Sequence, residues 1–280
     1  MSARGRFLSV LVTIVMAMAG FVTVGALPSA ASAPIVQYVA LGDSYAAGTA
    51  AGSYPNDCQQ TDESYPEFLI LDSRIRLRVN AACSGAKTFN VAEIVNRPLP
   101  ELNDETRLVT LTVGAADLGL SGVLNVCTDP ARTQTECLIK IAEARALLQE
   151  LGGDLTDLYA AVARAAPRAR IVVTGYPHLF EPLPPNDPRA VVVAAINSAT
   201  DALNSTMEQA VAAANDADVN IHYVDVTEEF AGHGIVIGST EQDFIYAAGS
   251  EAFHPTAAGY QAYADAISVA LPGGWLKQLV

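Results

Sequence analysis

The chain has 280 residues, of which 51% are hydrophobic and only 16% are charged. This length suits one large domain or two small ones, with enough residues for a core, and the apolar content excludes an intrinsically disordered chain. The 16 basic and 30 acidic residues give a formal net charge of −14. Such a charge argues against a nucleic-acid partner, because a protein that follows phosphates needs a basic face.

Residues 1–33 have the pattern of a secretory signal peptide. Arg4 and Arg6 precede a long apolar run, and Ala31-Ser32-Ala33 is a small-x-small cleavage site. The alternative is an uncleaved membrane anchor, since the apolar run is long enough to span a bilayer, but the cleavage site favours removal. We therefore expect a secreted, extracellular domain of residues 34–280, with no integral membrane segment after cleavage.

The cysteines of an exported chain predict disulfide bonds, and the four present here predict two. Three pairings are possible, and we expect the nearest-neighbour one, Cys58–Cys83 with Cys127–Cys137. The sequence has no Cys-x-x-Cys or Cys/His spacing typical of zinc sites, so no metal ion is expected.

Strand-like and helix-like segments alternate along the chain. Strands are predicted over 36–41, 75–81, 108–113, 170–174 and 221–226, the second alternating apolar and basic residues as an edge strand does. Apolar residues at helical spacing predict helices over 147–162, 192–214 and 257–271. Gly152-Gly153 is a potential break in the first helix, and Asn204 is expected on the solvent face of the second. This alternation predicts parallel βαβ units in one α/β domain.

Three of the strands end in turns that suit a site, because ligands in open α/β sheets bind beyond the carboxyl ends of the strands. Gly42-Asp43-Ser44 can present a hydroxyl and a backbone N–H group, and Gly85 lets the backbone of 82–86 approach a ligand. Residues 113–117 form a third tight turn. Taken alone, each segment is more simply interpreted as an ordinary polar turn.

A fourth candidate segment is Glu251 to Pro255. His254 stands immediately before the last helix, Pro255 restricts its backbone to extended angles, and Glu251 is close enough to hold one imidazole nitrogen. A serine needs such a base because its own pKa makes it a poor nucleophile. The weaker candidates are the other histidines in predicted strands or loops, His178, His222 and His233.

Together these segments resemble the SGNH hydrolases, the GDSL family of esterases and lipases, in its secreted actinobacterial type. The family's first block matches 39–45 with Ser44 as nucleophile, its second matches 82–86 with Gly85 as an oxyanion donor, and its last matches 251–255 with His254 as base. The resemblance implies a single-domain, three-layer α/β/α fold around a mostly parallel five-stranded sheet. It also implies an exported carboxylic ester hydrolase that needs no cofactor, and we expect a monomer.

The sequence departs from the family pattern at two site positions. The third triad position, usually Asp, is Glu251. The third block normally carries an Asn that donates to the oxyanion, but Ala116 stands there, and a methyl group cannot donate a hydrogen bond. Removing one such donor costs about 10²–10³ in kcat, far less than losing the nucleophile. We expect a slowed enzyme whose oxyanion hole consists of the Ser44 and Gly85 N–H groups.

Two other functions use the same scaffold. One is a non-catalytic exported binder of acylated lipids or glycans, although a binder has no need of both Ser44 and His254. The other is an acyltransferase, which differs only in the nucleophile that resolves the acyl-enzyme. In every case the partner is a small-molecule, lipid or glycan ester, and the sequence specifies neither its acyl chain nor its alcohol.

Overall fold

A computed structural model describes residues 35–271 except 98, 216–219, 240 and 250, so the predicted signal segment, residues 1–33, lies outside the described residues. Five strands form one parallel sheet in the order β2-β1-β3-β4-β5. The prediction of an α/β fold around a five-stranded sheet is confirmed. The strands are Val36–Gly42 (β1), Ile75–Asn80 (β2), Leu108–Thr112 (β3), Arg170–Thr174 (β4) and Ile221–Val224 (β5).

Residue composition explains the place of the strands in the sheet. Every residue of the central strand β3 is buried, and its continuous run of Leu, Val and Thr suits a strand that is covered on both faces. Strand β2 lies at one edge, where Arg76 and Arg78 are exposed between apolar neighbours. Charged side chains on an edge strand oppose pairing with a second chain.

Helices cover the sheet on both sides. Helix α6 packs against α3 and α7, whereas α2 packs against α8, and right-handed crossovers place these two groups on opposite faces. Among the described residues, no helix is both long and apolar enough to traverse a bilayer. The helices are Ser44–Ala47 (α1), Tyr65–Leu69 (α2), Thr88–Asn96 (α3), Leu120–Thr128 (α4), Gln134–Ala146 (α5), Leu148–Ala165 (α6), Ala190–Asn215 (α7) and Ala257–Ala270 (α8).

Helix α6 continues through both of its glycines, so the potential break at Gly152-Gly153 is not found. Leu151, Leu155 and Leu158 are buried on its inner face. Burying each of these side chains contributes about 1.5–3 kcal/mol, which exceeds the cost of about 1 kcal/mol for a glycine inside a helix. Burial of this face therefore overrides the low helix propensity of the two glycines.

Two disulfide bonds cross-link this framework. Cys58 and Cys83 link the loop after α1 to the turn after β2, and Cys127 and Cys137 link the end of α4 to α5. The pairing is the expected nearest-neighbour one.

Candidate active site

The ends of β1, β2 and β3 meet at the carboxyl edge of the sheet. The Asp43 N–H donates to the Thr112 carbonyl at 2.8 Å, and the Cys83 N–H donates to the Gly42 carbonyl at 3.0 Å. Gly42 has a φ of +137°, and a Cβ there would lie 2.2 Å from the Thr112 oxygen. Only glycine permits this approach. The three turns that follow these strands are therefore neighbours in space.

The hydroxyl of Ser44 is paired with the imidazole of His254. Ser44 begins α1, and its Oγ lies 2.8 Å from His254 Nε2. The other ring nitrogen, Nδ1, lies 3.1 Å from the backbone carbonyl oxygen of Glu251. Because a carbonyl oxygen only accepts, Nδ1 carries the proton and Nε2 is left as the acceptor for the serine hydroxyl.

The Glu251 side chain does not hold the imidazole, contrary to its expected role as the third triad member. Its carboxylate Oε1 accepts a hydrogen bond from the Tyr54 hydroxyl at 2.5 Å, while its main-chain carbonyl occupies the position beside Nδ1. The short turn from Glu251 to His254 brings a carbonyl within reach of the ring three residues later. A sequence pattern does not distinguish this main-chain acceptor from a side-chain one.

The surroundings of His254 favour a neutral ring. Burial lowers the pKa of His254, while the backbone carbonyls of Glu251 and Ala252 and the charge of Glu251 act in the opposite direction. A pKa below the ordinary value of about 6.5 leaves the imidazole neutral at pH 7. This is the form that accepts a proton.

Two backbone N–H groups in the turns after β1 and β2 are available to a ligand. Among the described residues, neither Ser44 N–H nor Gly85 N–H has a hydrogen-bond acceptor. Gly85 is exposed with a φ of +77°, so its amide can face outward from a tight turn. The turn is held by the adjacent disulfide and by Ser84, whose N–H donates to the Cys58 carbonyl at 3.0 Å.

Ala116 lies in the turn after β3 and places a methyl group there. The next residue, Asp117, accepts hydrogen bonds from the Thr88 N–H at 3.1 Å and from the Thr88 hydroxyl at 2.7 Å, which joins the turn to the start of α3. On the other side, the Ala115 N–H donates to the Tyr176 hydroxyl at 3.2 Å. The turn is thus held on both sides of Ala116.

A buried polar network supports the Ser44 turn, and the sequence did not predict it. Asp43 is 2% exposed and accepts hydrogen bonds from the Tyr176 hydroxyl at 2.5 Å and the Tyr45 N–H at 2.9 Å. The Asn204 amide pairs with both the N–H and the carbonyl of Tyr176, so Asn204 is buried and not on the expected solvent face of α7. Burial raises the pKa of Asp43 to about 7, although its hydrogen bonds oppose the rise.

Two cavities lie beside these residues. A small, mostly apolar cavity of about 40 Å³ is lined by Tyr45, by Ala115 and by residues of α4, α5 and α7. A wider cleft of about 670 Å³ reaches Ala252 and Phe253, next to His254, and its walls include the Cys127–Cys137 region and residues 235–239. The sequence did not single out 235–239, because an apolar run in a loop is not distinguishable from core.

The other histidines are hydrogen-bonded to side chains other than that of Ser44. The pairs are His178 with Asp201 at 2.6 Å, His222 with Asn220 at 2.8 Å and His233 with Asp243 at 2.8 Å.

A serine hydroxyl bonded to an imidazole, beside free backbone N–H groups at the carboxyl edge of a parallel α/β sheet, is the arrangement of a serine ester hydrolase. Comparison with known proteins supports this class and gives the family. Residues 40–262 match the sequence model of the GDSL-like Lipase/Acylhydrolase family, and the chain belongs to this family. It is a carboxylic ester hydrolase.

Three comparisons, one of sequence and two of structure, show how far the similarity extends. A lipase from Streptomyces rimosus is 36% identical over 244 residues, which cover 82% of this chain and 86% of the relative. The crystal structure of an extracellular lipase from Streptomyces rimosus has a TM-score of 0.72 at 32% identity, covering 84% of this chain and 99% of that one. The crystal structure of phospholipase A1 from Streptomyces albidoflavus has a TM-score of 0.71 at 32% identity, with coverages of 83% and 98%.

Proposed function

We propose that the protein hydrolyses carboxylic esters through an acyl-enzyme on Ser44, with His254 as general base and then general acid. The observation that carries the proposal is the 2.8 Å contact between Ser44 Oγ and His254 Nε2, made by a ring whose Nδ1 is held by a carbonyl oxygen. A hydroxyl in this setting loses its proton to the ring as it attacks.

In the first half of the reaction, Ser44 Oγ forms a bond to the ester carbonyl carbon and its proton moves to His254 Nε2. The carbonyl oxygen becomes negative and is stabilised by the N–H groups of Ser44 and Gly85. The tetrahedral intermediate then collapses, the bond to the alcohol oxygen breaks, and the alcohol leaves with the proton from Nε2. The product is an ester of the substrate's acyl group with Ser44.

In the second half, water repeats the attack. His254 Nε2 removes a proton from the water as its oxygen bonds to the acyl carbon, and the same N–H groups hold the oxyanion. When the intermediate collapses, Ser44 Oγ leaves and recovers its proton from the ring. The free acid departs and the enzyme is regenerated.

The substrate that we propose is an ester with an apolar acyl chain. The wider cleft, which reaches Ala252 and Phe253, has both apolar and polar walls. Such pockets hold an apolar group and leave a few polar contacts for orientation. The relatives named lipase and phospholipase A1 support a lipid ester.

We also propose that the protein is secreted after removal of residues 1–33. The charged, apolar and small-residue parts of that segment support export. Two disulfide bonds suit an oxidising compartment outside the cytoplasm, and a similar lipase from Streptomyces rimosus is extracellular.

Hydrolysis of p-nitrophenyl butyrate by the purified protein tests the proposed activity. Ser44→Ala should reduce kcat by at least about 10³-fold, because it removes the nucleophile. Ser53→Ala is the matched control, since Ser53 is an exposed loop serine and its loss should leave kcat unchanged. Equal turnover by Ser44→Ala and the wild type, or a folded wild type without turnover, would contradict the proposal, and the second result would favour the binder.

A further inference from the structure

Two tyrosines that follow Ser44 in sequence hold the segment that carries His254. The Tyr45 hydroxyl donates to the Phe253 carbonyl at 2.7 Å, and the Tyr54 hydroxyl donates to the Glu251 carboxylate at 2.5 Å. Tyr45 is part of the buried core, whereas Tyr54 is only half-buried. The segments of the nucleophile and the base are therefore joined by two hydrogen bonds besides their direct contact.

The Tyr54 hydroxyl is itself fixed in direction. It accepts a hydrogen bond from the Ala50 N–H at 2.8 Å while it donates to Glu251. Ala50 has a φ of +82°, a left-handed conformation that residues other than glycine seldom adopt. Burial and the bond to Glu251 raise the pKa of Tyr54 to about 12, so the phenol keeps its proton and remains a donor.

Glu251 makes two different contacts, one through its side chain and one through its main chain. The carboxylate lies on Tyr54, and the carbonyl of the same residue lies 3.1 Å from His254 Nδ1. Because the carboxylate and the carbonyl leave the same Cα, a displacement of the Glu251 backbone would disturb both contacts. The turn between the two residues needs an outside restraint, because Phe253 has a φ of +69°, which is strained for a residue with a side chain.

We propose that Tyr54 is a positioning residue for ester hydrolysis. Through the Glu251 carboxylate it keeps the Glu251 carbonyl on Nδ1 and so directs Nε2 at Ser44. This inference rests on the proposed function. Serine hydrolases need the imidazole in one tautomer and orientation, a task that a carboxylate usually performs by direct contact. In this protein the Glu251 carboxylate acts indirectly. Its hydrogen bond with Tyr54 fixes the Glu251 backbone, and the carbonyl of that backbone orients the imidazole.

Steady-state kinetics of four variants test the positioning role. Tyr54→Phe should lower kcat about tenfold and leave KM within about twofold, because the loss affects orientation of the base and not substrate binding. Glu251→Ala should have a similar effect, and the double variant should be no slower than either single one, since both remove the same hydrogen bond. Glu251→Gln keeps an oxygen that accepts from Tyr54 and should retain kcat within about threefold.

Tyr159→Phe is the control, because Tyr159 is buried and its hydroxyl has no partner among the described residues. It should behave as the wild type, and thermal melting of each variant checks folding. A wild-type kcat in Tyr54→Phe, additive losses in the double variant, or no rescue by Glu251→Gln would overturn the inference. If Ser44→Ala loses activity as expected, these results refute the positioning role alone, whereas an inactive wild type refutes the proposed function.

Discussion

At the scale of single residues, the acceptor on His254 Nδ1 is a neutral carbonyl, at 3.1 Å, and not a carboxylate. A carboxylate stabilises the imidazolium that forms in the reaction more strongly than a neutral oxygen does. A change of the Glu251 side chain leaves the carbonyl in place, so it should slow the reaction without abolishing it. Position 251 therefore differs in kind from Ser44 and His254, which exchange the proton in the proposed mechanism.

The resemblance to the family pattern implies that Ala116 stands at the position of an oxyanion-donating Asn. We predict that Ala116→Asn raises kcat by up to about 10²-fold, because it adds a third donor to the Ser44 and Gly85 N–H groups. The surrounding turn is already fixed by Asp117 and by the Ala115 N–H, so the added amide needs little rearrangement. The kcat of the variant and of the wild type, measured for ester hydrolysis at saturating substrate, tests this prediction. A fall in kcat with unchanged melting temperature would mean that the site is arranged around the alanine.

Asp43 should make stability depend on pH. Because burial raises its pKa to about 7, the folded protein binds this proton more tightly than the unfolded chain, where the pKa is about 3.9. The contribution to stability is full at low pH and falls as pH rises between these two values, by on the order of 4 kcal/mol. Asp43→Asn cannot ionise, so it should lack this fall.

Urea unfolding of the wild type and Asp43→Asn at several pH values between 4 and 8 measures the difference. The two proteins should be closest in free energy of unfolding at the acid end, with the variant relatively more stable toward pH 8. Parallel curves over the whole range would show that Asp43 ionises as freely in the folded protein as in the unfolded chain.

At the scale of elements, the two glycines inside α6 lower the stability of the helix, and one of them can be replaced. A Cβ on Gly153 would meet nothing within 4 Å, whereas one on Gly152 would lie 3.3 Å from the Thr206 methyl group. Gly153→Ala should therefore stabilise the protein by about 0.5–1 kcal/mol through lower unfolded-state entropy and higher helix propensity. Gly152→Ala is the matched control and should gain less. Thermal melting compares them, and a Gly153→Ala melting point at or below the wild-type value would contradict the prediction.

Periodicity and composition were sufficient to predict the strands and the longer helices, because each buries one regular face. Helix α5 was not predicted, although the Thr133 and Glu136 capping box that begins it was visible in the sequence. The roles of Tyr54 and Asn204 could not be predicted, since their partners Glu251 and Tyr176 are distant in sequence. The Glu251 carbonyl that accepts a hydrogen bond from His254 Nδ1 could not be predicted either, because every residue has a backbone carbonyl.

At the scale of the whole molecule, the strand order explains why three distant turns form one site. Strand β1 lies between β2 and β3, so the turn carrying Ser44 has Gly85 on one side and Ala116 on the other. The last helix, α8, begins just after His254 and is packed against α2 on the opposite face from α6.

The central claim is that Ser44, activated by His254, is the nucleophile. Reaction of the purified protein with a fluorophosphonate probe, followed by mass spectrometry of its peptides, tests this most directly. We predict a single adduct on Ser44 and a labelling rate at least about 10²-fold lower in folded His254→Ala, because the general base is lost. An adduct on another residue, no adduct, or equal labelling of His254→Ala and the wild type would contradict the claim.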